Sequence, residues 1–305
     1  MTPSAPILVV GSTGLLGTQI VQQLVSSGCT VRALVRHSSG PARVAALKSA
    51  RAQVVYGDLK DEASIAAACE GVGTVVSTAT SLLSRTEGDS IDSVDLRGQL
   101  NLVGAAERAS VGHFVFISFP PIALDFAFQR AKRAVEARLR ESALSFTIIQ
   151  AASFAEIWLG PFLGFNPFCG RAKFFGDGTR PTSWISMADV ASFAAAAAHG
   201  GPFARKTISL GGPDALSYRD VLDLFARHGA GHVAIESVPE SELEAQFRSA
   251  TDPRQEAFAA TMLSRARGQV VSSDEACALW SGQLTRLNDF VAHIALAAQR
   301  AEPAT

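Results

Sequence analysis

The sequence predicts an α/β fold, a doubly wound parallel sheet with a smaller C-terminal α/β domain. Short runs rich in Val, Ile and Phe alternate with helical patterns through the first half of the chain. A glycine-rich turn follows the first run, and the alternation stops near residue 150. Runs this apolar are typical of parallel strands that are covered on both faces, and the alternation predicts right-handed βαβ crossovers.

The apolar runs predict strands at 6–10, 30–36, 52–56, 74–78, 113–118 and 146–150. The patterns between them predict helices over 14–27, 61–70, 89–109 and 125–142. Beyond them, 152–178 is dense in aromatic residues, Gly and Pro, which predicts an elaborated loop region rather than another βα unit.

Two capping patterns and one apolar run follow this loop region. Ser186-x-x-Asp189 and Ser217-x-x-Asp220 each predict the start of a capped helix. Between these helices, KTISL at 206–210 predicts a strand that returns to the main sheet.

The composition excludes several classes of function. The chain has 305 residues, of which 48% are hydrophobic, and a formal net charge of −1, so no basic surface for nucleic acid or for an anionic membrane is predicted. The longest apolar stretch, 114–128, contains two prolines and an aspartate and is too short to cross a bilayer. The four cysteines are far apart, and no histidine lies at ligand spacing, so we predict neither a metal site nor a disulfide framework. No basic leader precedes the first strand, so we expect a soluble, cytoplasmic protein, and its oligomeric state stays open.

The first strand leads directly into Gly11-x-x-Gly14-x-x-Gly17 and the start of a helix. In a dinucleotide-binding turn, the first glycine permits the tight turn, the second lets the backbone approach the pyrophosphate, and the third lets the helix pack against the strand. The free N–H groups and the helix dipole then hold the phosphates. A glycine-rich turn without a ligand is the alternative. The residues predicted to bind the cofactor here are Gly11, Ser12, Thr13, Gly14, Leu15, Leu16 and Gly17.

The end of the second strand predicts which dinucleotide binds. An NAD site usually has an acidic residue there, whereas this strand ends in Arg36-His37 with no carboxylate nearby in the sequence. Arg36 can pair with a 2′-phosphate, and His37 can contact the same group. We therefore predict that NADP(H) is preferred over NAD(H). A surface arginine that caps the strand is the alternative.

Several stretches resemble one family. GSTGLLG, the arginine that closes ALVR, Gly57-Asp58-Leu59 and STAT (77–80) resemble the atypical short-chain dehydrogenase/reductases, and among them the NmrA-like group with its isoflavone-reductase-like relatives. The stretches 132–154 and 183–191 resemble the same group. The resemblance covers about residues 5–215.

The resemblance implies roles for the matched positions. Asp58 and Leu59 would flank the adenine. Thr78, Ala79 and Thr80 would line the ribose and the nicotinamide approach. Gln150, Ala151 and Phe154 would close over the nicotinamide.

Two departures from the family pattern matter. Gln150-Ala151 stands where the family commonly has Arg-Pro, and the tyrosine of the classical short-chain enzymes is absent. We accordingly predict a dinucleotide-binding Rossmann domain over 1–153, to which 182–212 returns. A smaller, mostly helical domain for a substrate or partner follows over 154–305.

Lys132 and Ser118 are the candidate catalytic residues. Phe128 and Lys132 share one helix face, which would place the ammonium among apolar neighbours. The family places a lysine here to bond the nicotinamide ribose, and a desolvated lysine with a lowered pKa can also donate a proton. A surface salt bridge to Glu136 is the alternative. Ser118 ends the fifth strand, where short-chain reductases orient the substrate, and a structural hydroxyl is equally open.

Aromatic residues near the predicted strand ends suggest an apolar pocket, although aromatic residues also fill cores. The candidate substrate contacts are Phe119, Phe128, Trp158 and Phe162, and Phe154 and Phe165 belong to the same cluster. Such a pocket suits an aromatic or conjugated molecule better than a charged metabolite.

Two functions remain open. One is an NADPH-dependent reductase of a small hydrophobic carbonyl, quinone or conjugated alkene that works without a catalytic tyrosine. The other is a non-catalytic NADP(H)-binding redox sensor of the NmrA type, which would signal to a protein partner. The aromatic pocket favours the enzyme, and Phe128, in place of a phenol, favours the sensor.

Overall fold

The computed structural model describes the backbone of residues 5–301 and the side chains of residues 5–298. Its strands are β1 (Ile7–Val10), β2 (Val31–Val35), β3 (Gln53–Tyr56), β4 (Thr74–Ser77), β5 (His113–Ser118), β6 (Ser145–Ala151), β7 (Ser153–Phe154), β8 (Arg171–Phe175), β9 (Thr182–Ile185), β10 (Lys206–Leu210), β11 (Ala215–Leu216) and β12 (Ala234–Val238). Its helices are α1 (Leu15–Ser26), α2 (Pro41–Ser49), α3 (Glu62–Cys69), α4 (Gln99–Arg108), α5 (Ala127–Glu141), α6 (Ala155–Trp158), α7 (Met187–Ala197), α8 (Tyr218–Arg227), α9 (Glu240–Ser249), α10 (Pro253–Arg267), α11 (Asp274–Leu279) and α12 (Leu287–Ala301). A π-helical segment, Ile91–Gly98, leads into α4.

The central sheet has seven parallel strands in the order β10-β6-β5-β4-β1-β2-β3. Its inner strands are mostly apolar, and all of β1 and β5 is buried. One core lies between one face of the sheet and helices α1 and α7. A second core lies between the other face and helices α4 and α5. This arrangement confirms the predicted α/β fold with a doubly wound parallel sheet.

The local signals and the structure agree closely in the first half. Each predicted strand lies within one residue of the strand observed. The helix predicted over 89–109 divides into the π-helical segment and α4. Helix α2 was not predicted, because it buries only Val44 and Leu47 and has almost no apolar stripe.

The segment 152–178 is more regular than the predicted loop region. It contains β7, α6 and β8, and β8 pairs with β12 in a small parallel sheet. Phe165, expected in the pocket, instead lies 1% exposed in a third core with Phe174, Tyr218 and Phe225. Part of the aromatic density in this segment therefore reflects core packing.

The two capping patterns have different outcomes. Ser217 and Asp220 form the reciprocal capping box at the start of α8. Ser186 caps α7, but Asp189 accepts hydrogen bonds from the amide and hydroxyl of Thr285 instead of completing a box. As expected, β10 lies beside β6 in the main sheet, whereas the division into two domains stays a prediction.

Of the helices that the structure describes, none is both long enough and apolar enough to span a lipid bilayer.

Candidate functional site

A cavity of about 490 Å³ opens at the carboxyl ends of β1, β4, β5 and β6, and α10 forms its opposite wall. In open α/β sheets, ligands bind at this edge, where the strand order reverses. The predicted site residues that line it are Gly11, Thr13, Gly14, Leu15, Leu16, Arg36, Asp58, Leu59, Thr78, Ala79, Thr80, Ser118, Phe119, Phe128, Lys132, Ala151, Phe154, Trp158 and Phe162. Those that lie outside the lining are Ser12, Gly17, His37 and Gln150.

The glycine turn has the geometry that a dinucleotide requires. Gly11 has φ +86°, and a Cβ there would lie 2.8 Å from the Ala79 amide nitrogen. A Cβ on Gly17 would lie 2.1 Å from the Gly11 carbonyl oxygen, so this glycine lets α1 pack closely without touching a ligand. Gly14 is the N-cap of α1, and no side chain caps this helix end. The first amides of α1 are therefore available to an anion.

Two predicted contacts beside this turn are corrected by the structure. The Ser12 hydroxyl is fully buried and donates to the Leu34 carbonyl oxygen at 2.6 Å, so it links β1 to β2 rather than facing the cavity. His37 stacks on Tyr56 with ring centroids 4.6 Å apart and lies outside the cavity.

Arg36 faces a carboxylate that its own strand does not supply. Asp89, from the loop between β4 and the π-helical segment, accepts from Arg36 Nη1 at 2.5 Å, and it also pairs with Lys60. Burial acts to raise the pKa of Asp89, but hydrogen bonds from Lys60, Ser84 and Arg36 outweigh it and lower that pKa. As expected, the end of β2 supplies no carboxylate, but the loop that contains Asp89 brings one to Arg36 from elsewhere in the chain.

The same loop is tied to α10. Arg254, in the first turn of that helix, donates to the backbone carbonyl oxygens of Ser84, at 2.9 Å, and Asp89. A further cation of the cavity, Arg43 on α2, donates to the Thr13 carbonyl oxygen at 3.3 Å. Neither contact was predicted, because the partners lie far apart along the chain.

Lys132 is 4% exposed, and its Nζ donates to the Ile117 carbonyl oxygen at 3.2 Å. Nζ also lies 4.8 Å and 5.5 Å from the ring centroids of Phe116 and Phe128. Burial lowers the pKa of Lys132, although the nearby carboxylates Asp95 and Glu136 oppose this shift. The salt bridge to Glu136 does not form, so the surface alternative for Lys132 is wrong.

Glu136 instead organises a buried polar network beneath the cavity. Its carboxylate is 2% exposed and pairs with Arg133 and Arg140. The Ser118 hydroxyl donates to it at 2.7 Å, and Gln150 Nε2 donates to both of its oxygens. Ser118 still borders the cavity, whereas Gln150 lies below it, contrary to the position that the resemblance implied.

Asp95 is a second buried carboxylate that the sequence analysis missed. It lies in the π-helical segment, fully buried, and one oxygen accepts from the amide and hydroxyl of Ser81. The other oxygen, Oδ1, has no hydrogen-bond partner in the described part of the chain. π-helical turns often occur at functional sites, and the Asp95 carboxylate in this one acts to raise the pKa of Lys132, against the effect of burial.

Aromatic and apolar side chains cover the other half of the cavity. Phe119 stacks on Phe128 with ring centroids 5.3 Å apart, and Trp158 contacts Phe175 edge-on. Helix α10 adds Ala257, Phe258, Thr261, Met262 and Arg265. The sequence analysis missed this wall because α10 has no motif and lies more than 100 residues after the strands that it faces.

No tyrosine lines the cavity within residues 5–298. Tyr56 is 49% exposed at the end of β3, and Tyr218 is 2% exposed in the third core, where burial raises its pKa. No group of three or more metal-binding side chains occurs among the described residues.

This fold and turn define an NAD(P)-binding protein of the Rossmann class. The NmrA-like family model matches residues 3–291, so the chain belongs to the NmrA-like family. The resemblance found in the sequence is thereby confirmed.

Two relatives by sequence and one solved structure of the same fold show what this chain is similar to. Photosystem II assembly factor Ycf39 of Synechocystis sp. is 31% identical over 240 residues, covering 76% of this chain and 70% of its own. The isoflavone reductase homolog IRL of Zea mays is 28% identical over 256 residues, covering 81% and 82%. The structure of an NADPH-dependent quinone oxidoreductase from Escherichia coli, complexed with NADPH, has a TM-score of 0.75 at 20% identity, covering 94% and 99%. The chain spans about half the length of two other Ycf39 proteins that it matches.

Proposed function

We propose that the protein is an NADPH-dependent reductase of a small hydrophobic carbonyl, quinone or conjugated alkene. The observation that carries this proposal is one cavity that joins the glycine turn to the aromatic wall. A coenzyme and an acceptor that share such a cavity are held together and shielded from water. Two of the relatives are named as a quinone oxidoreductase and an isoflavone reductase homolog, which supports the same class of reaction.

The residues of the turn fit a dinucleotide. Side chains at Gly11 and Gly17 would collide with the backbone, and the open start of α1 suits a pyrophosphate. Arg36, Lys60 and Arg43 place positive charge around one end of the cavity, which supports a 2′-phosphate and hence NADPH over NADH. When bound, the coenzyme would supply a hydride to the acceptor.

Lys132 is the proposed anchor for the ribose and the proposed proton donor. Its ammonium has three N–H groups, and only one recorded hydrogen bond, to Ile117, uses them in the described part of the chain. Burial lowers its pKa and so makes the proton easier to release. Ser118 donates its only proton to Glu136, so its oxygen can only accept a hydrogen bond and does not protonate a substrate carbonyl.

The class of acceptor follows from the modest acidity of the Lys132 ammonium. A quinone or an enone becomes a delocalised oxyanion on reduction, and such an anion needs a weaker acid than a simple ketone does. A site with a lysine and without a phenol is therefore suited to conjugated acceptors.

A second function is a non-catalytic NADP(H) sensor. Two observations favour it. Phe128, one helical turn before Lys132, carries no hydroxyl, and the Synechocystis relative is named as an assembly factor. Such a protein would bind the coenzyme and pass its occupancy to a protein partner through the C-terminal segments.

Steady-state oxidation of NADPH with menadione and cinnamaldehyde distinguishes the two functions. Lys132→Met should lower kcat by about 10²-fold or more, because positioned proton transfer is worth this much, and it should also weaken NADPH binding. Lys48→Met, on the exposed face of α2, should behave as the wild type. If wild-type protein binds NADPH tightly but oxidises it with neither acceptor, the reductase is wrong and the sensor stands.

A further inference from the structure

A buried arginine lines the aromatic half of the cavity. Arg265, in the last turn of α10, is 6% exposed, and its guanidinium carbon lies 5.5 Å from the ring centroid of Trp158. A guanidinium over an aromatic face is favourable, but this contact does not neutralise its charge.

The hydrogen bonds of Arg265 reach only uncharged groups. Nη2 donates to Ser264 Oγ at 2.9 Å and to Gln269 Oε1 at 2.7 Å. Nε is buried without a partner, and no carboxylate of residues 5–298 lies within 4.0 Å of the guanidinium. Arg267, two residues later, contrasts with it, since it is more exposed and pairs with Glu240 and Glu244.

Such a residue is unusual, because buried arginines are nearly always paired with an anion. Burial lowers the pKa of Arg265 to about 10, so the side chain remains cationic at neutral pH. Ser153, which also lines the cavity, has a buried hydroxyl with no partner among the described residues. The aromatic half of the cavity thus holds an uncompensated cation and a free hydroxyl.

We propose that Arg265 binds the carboxylate of an aromatic or conjugated substrate, whose ring lies among the aromatic residues of the cavity. The identity of the bound molecule as a substrate rests on the proposed function, whereas the anion site itself does not. The sequence suggested a pocket for uncharged molecules because it gave no sign that α10 forms one wall. A carboxylate would complete the bidentate hydrogen bonding that the guanidinium now lacks.

The test compares anthraquinone carboxylate with the corresponding uncharged carboxamide, using NADP⁺-loaded protein and isothermal titration calorimetry. Wild type should bind the carboxylate about 10- to 100-fold more tightly than the carboxamide, the range expected for a buried hydrogen-bonded charge. Arg265→Gln should abolish this preference. Arg265→Lys keeps the positive charge but lacks the parallel N–H donors of a guanidinium, so it should retain only part of the preference. Arg267→Gln is the matched control on the same helix and should keep the wild-type preference.

Three outcomes would overturn the anion site. Equal binding of the two probes to wild type is sufficient alone, even if Arg265→Gln fails to fold. A preference that persists in Arg265→Gln would do the same. The third is an Arg265→Gln variant whose affinity for NADP⁺ falls by as much as its affinity for the carboxylate. That result would mean that the arginine binds the coenzyme. If wild type prefers the carboxylate but reduces no acceptor, the reductase is wrong and the anion site stands. If it reduces an acceptor but shows no preference, the anion site is wrong and the reductase stands.

Discussion

Asp89 Oδ2 lies 2.5 Å from Arg36 Nη1, so the arginine predicted to select the coenzyme is already paired within the chain. The carboxylate is 1% exposed, whereas the Arg36 and Lys60 side chains that it contacts are 35% and 29% exposed. A 2′-phosphate must therefore share or replace the hydrogen bonds that Asp89 makes with these cations. Under the proposed function, a 2′-phosphate would compete with Asp89 for these two cations.

Asp89→Asn should strengthen NADPH binding relative to NADH by several-fold. The neutral amide attracts Arg36 and Lys60 less strongly than the carboxylate, which frees both cations for a 2′-phosphate. Calorimetric titration of each coenzyme measures the ratio. Asp92→Asn, at an exposed carboxylate paired with Arg97, is the control and should leave the ratio unchanged. A ratio that shifts toward NADH would mean that Asp89 does not compete with the phosphate.

Arg36→Ala should weaken NADPH binding by roughly tenfold or more and NADH binding much less, because a charge-assisted hydrogen bond to phosphate is worth about 1.5–3 kcal/mol. The same titrations measure both affinities. An equal loss for the two coenzymes would contradict the proposed contact with the 2′-phosphate.

Gly17→Ala should destabilise the fold by about 1–3 kcal/mol, the usual cost of forcing a methyl group into a packed interior. The added Cβ would lie 2.1 Å from the Gly11 carbonyl oxygen, which is backbone and cannot rotate away. Gly104→Ala, inside α4, meets only the end of the Arg108 side chain and should be neutral or stabilising. Urea denaturation compares the free energies of unfolding, and similar values for both variants would refute the steric argument.

His113 should make the stability depend on pH. Its ring nitrogens lie 2.9 Å from Ser145 Oγ and 3.0 Å from Thr147 Oγ1. Burial lowers the pKa of His113 to about 4. Because the folded-state pKa lies below the value of the unfolded chain, about 6.5, the unfolded chain binds the proton more tightly. The stabilisation is present above pH 6.5 and is lost as the pH falls from there toward 4, by up to about 3 kcal/mol.

The measurement is the free energy of unfolding in urea at pH 7 and pH 5. His113→Gln should reduce the difference between the two values relative to the wild type. His232→Gln, at an exposed histidine, should not reduce it. An unchanged difference in His113→Gln would assign the pH dependence to other groups.

The main sheet was predictable because its signals are local. Each strand is a short apolar run, and the glycine turn is contiguous in the sequence. Helix α2 escaped prediction because its stabilising contacts are few, with only Val44 and Leu47 buried. Propensity and periodicity carry little information where an element is mostly exposed.

The charged part of the site was less predictable. Asp89 joins Arg36 across 53 positions of sequence, and Arg254 joins Ser84 across 170. Such pairs depend on the tertiary structure, and local patterns in a single sequence carry no information about contacts between distant positions. Ser12 and Gln150 show the converse, since residues inside recognisable motifs direct their side chains into hydrogen bonds away from the cavity.

Helix α10 carries Arg254 in its first turn and Arg265 in its last. These 15 residues form a helix about 22 Å long, which runs from the loop that bears Asp89 to the part of the cavity where Trp158 lies. A movement of the whole helix would therefore displace both Arg254 and Arg265. If a bound carboxylate moved Arg265 and the helix moved with it, the affinity for the coenzyme would change, and thermodynamic linkage would then require the coenzyme to change the affinity for that carboxylate by the same factor.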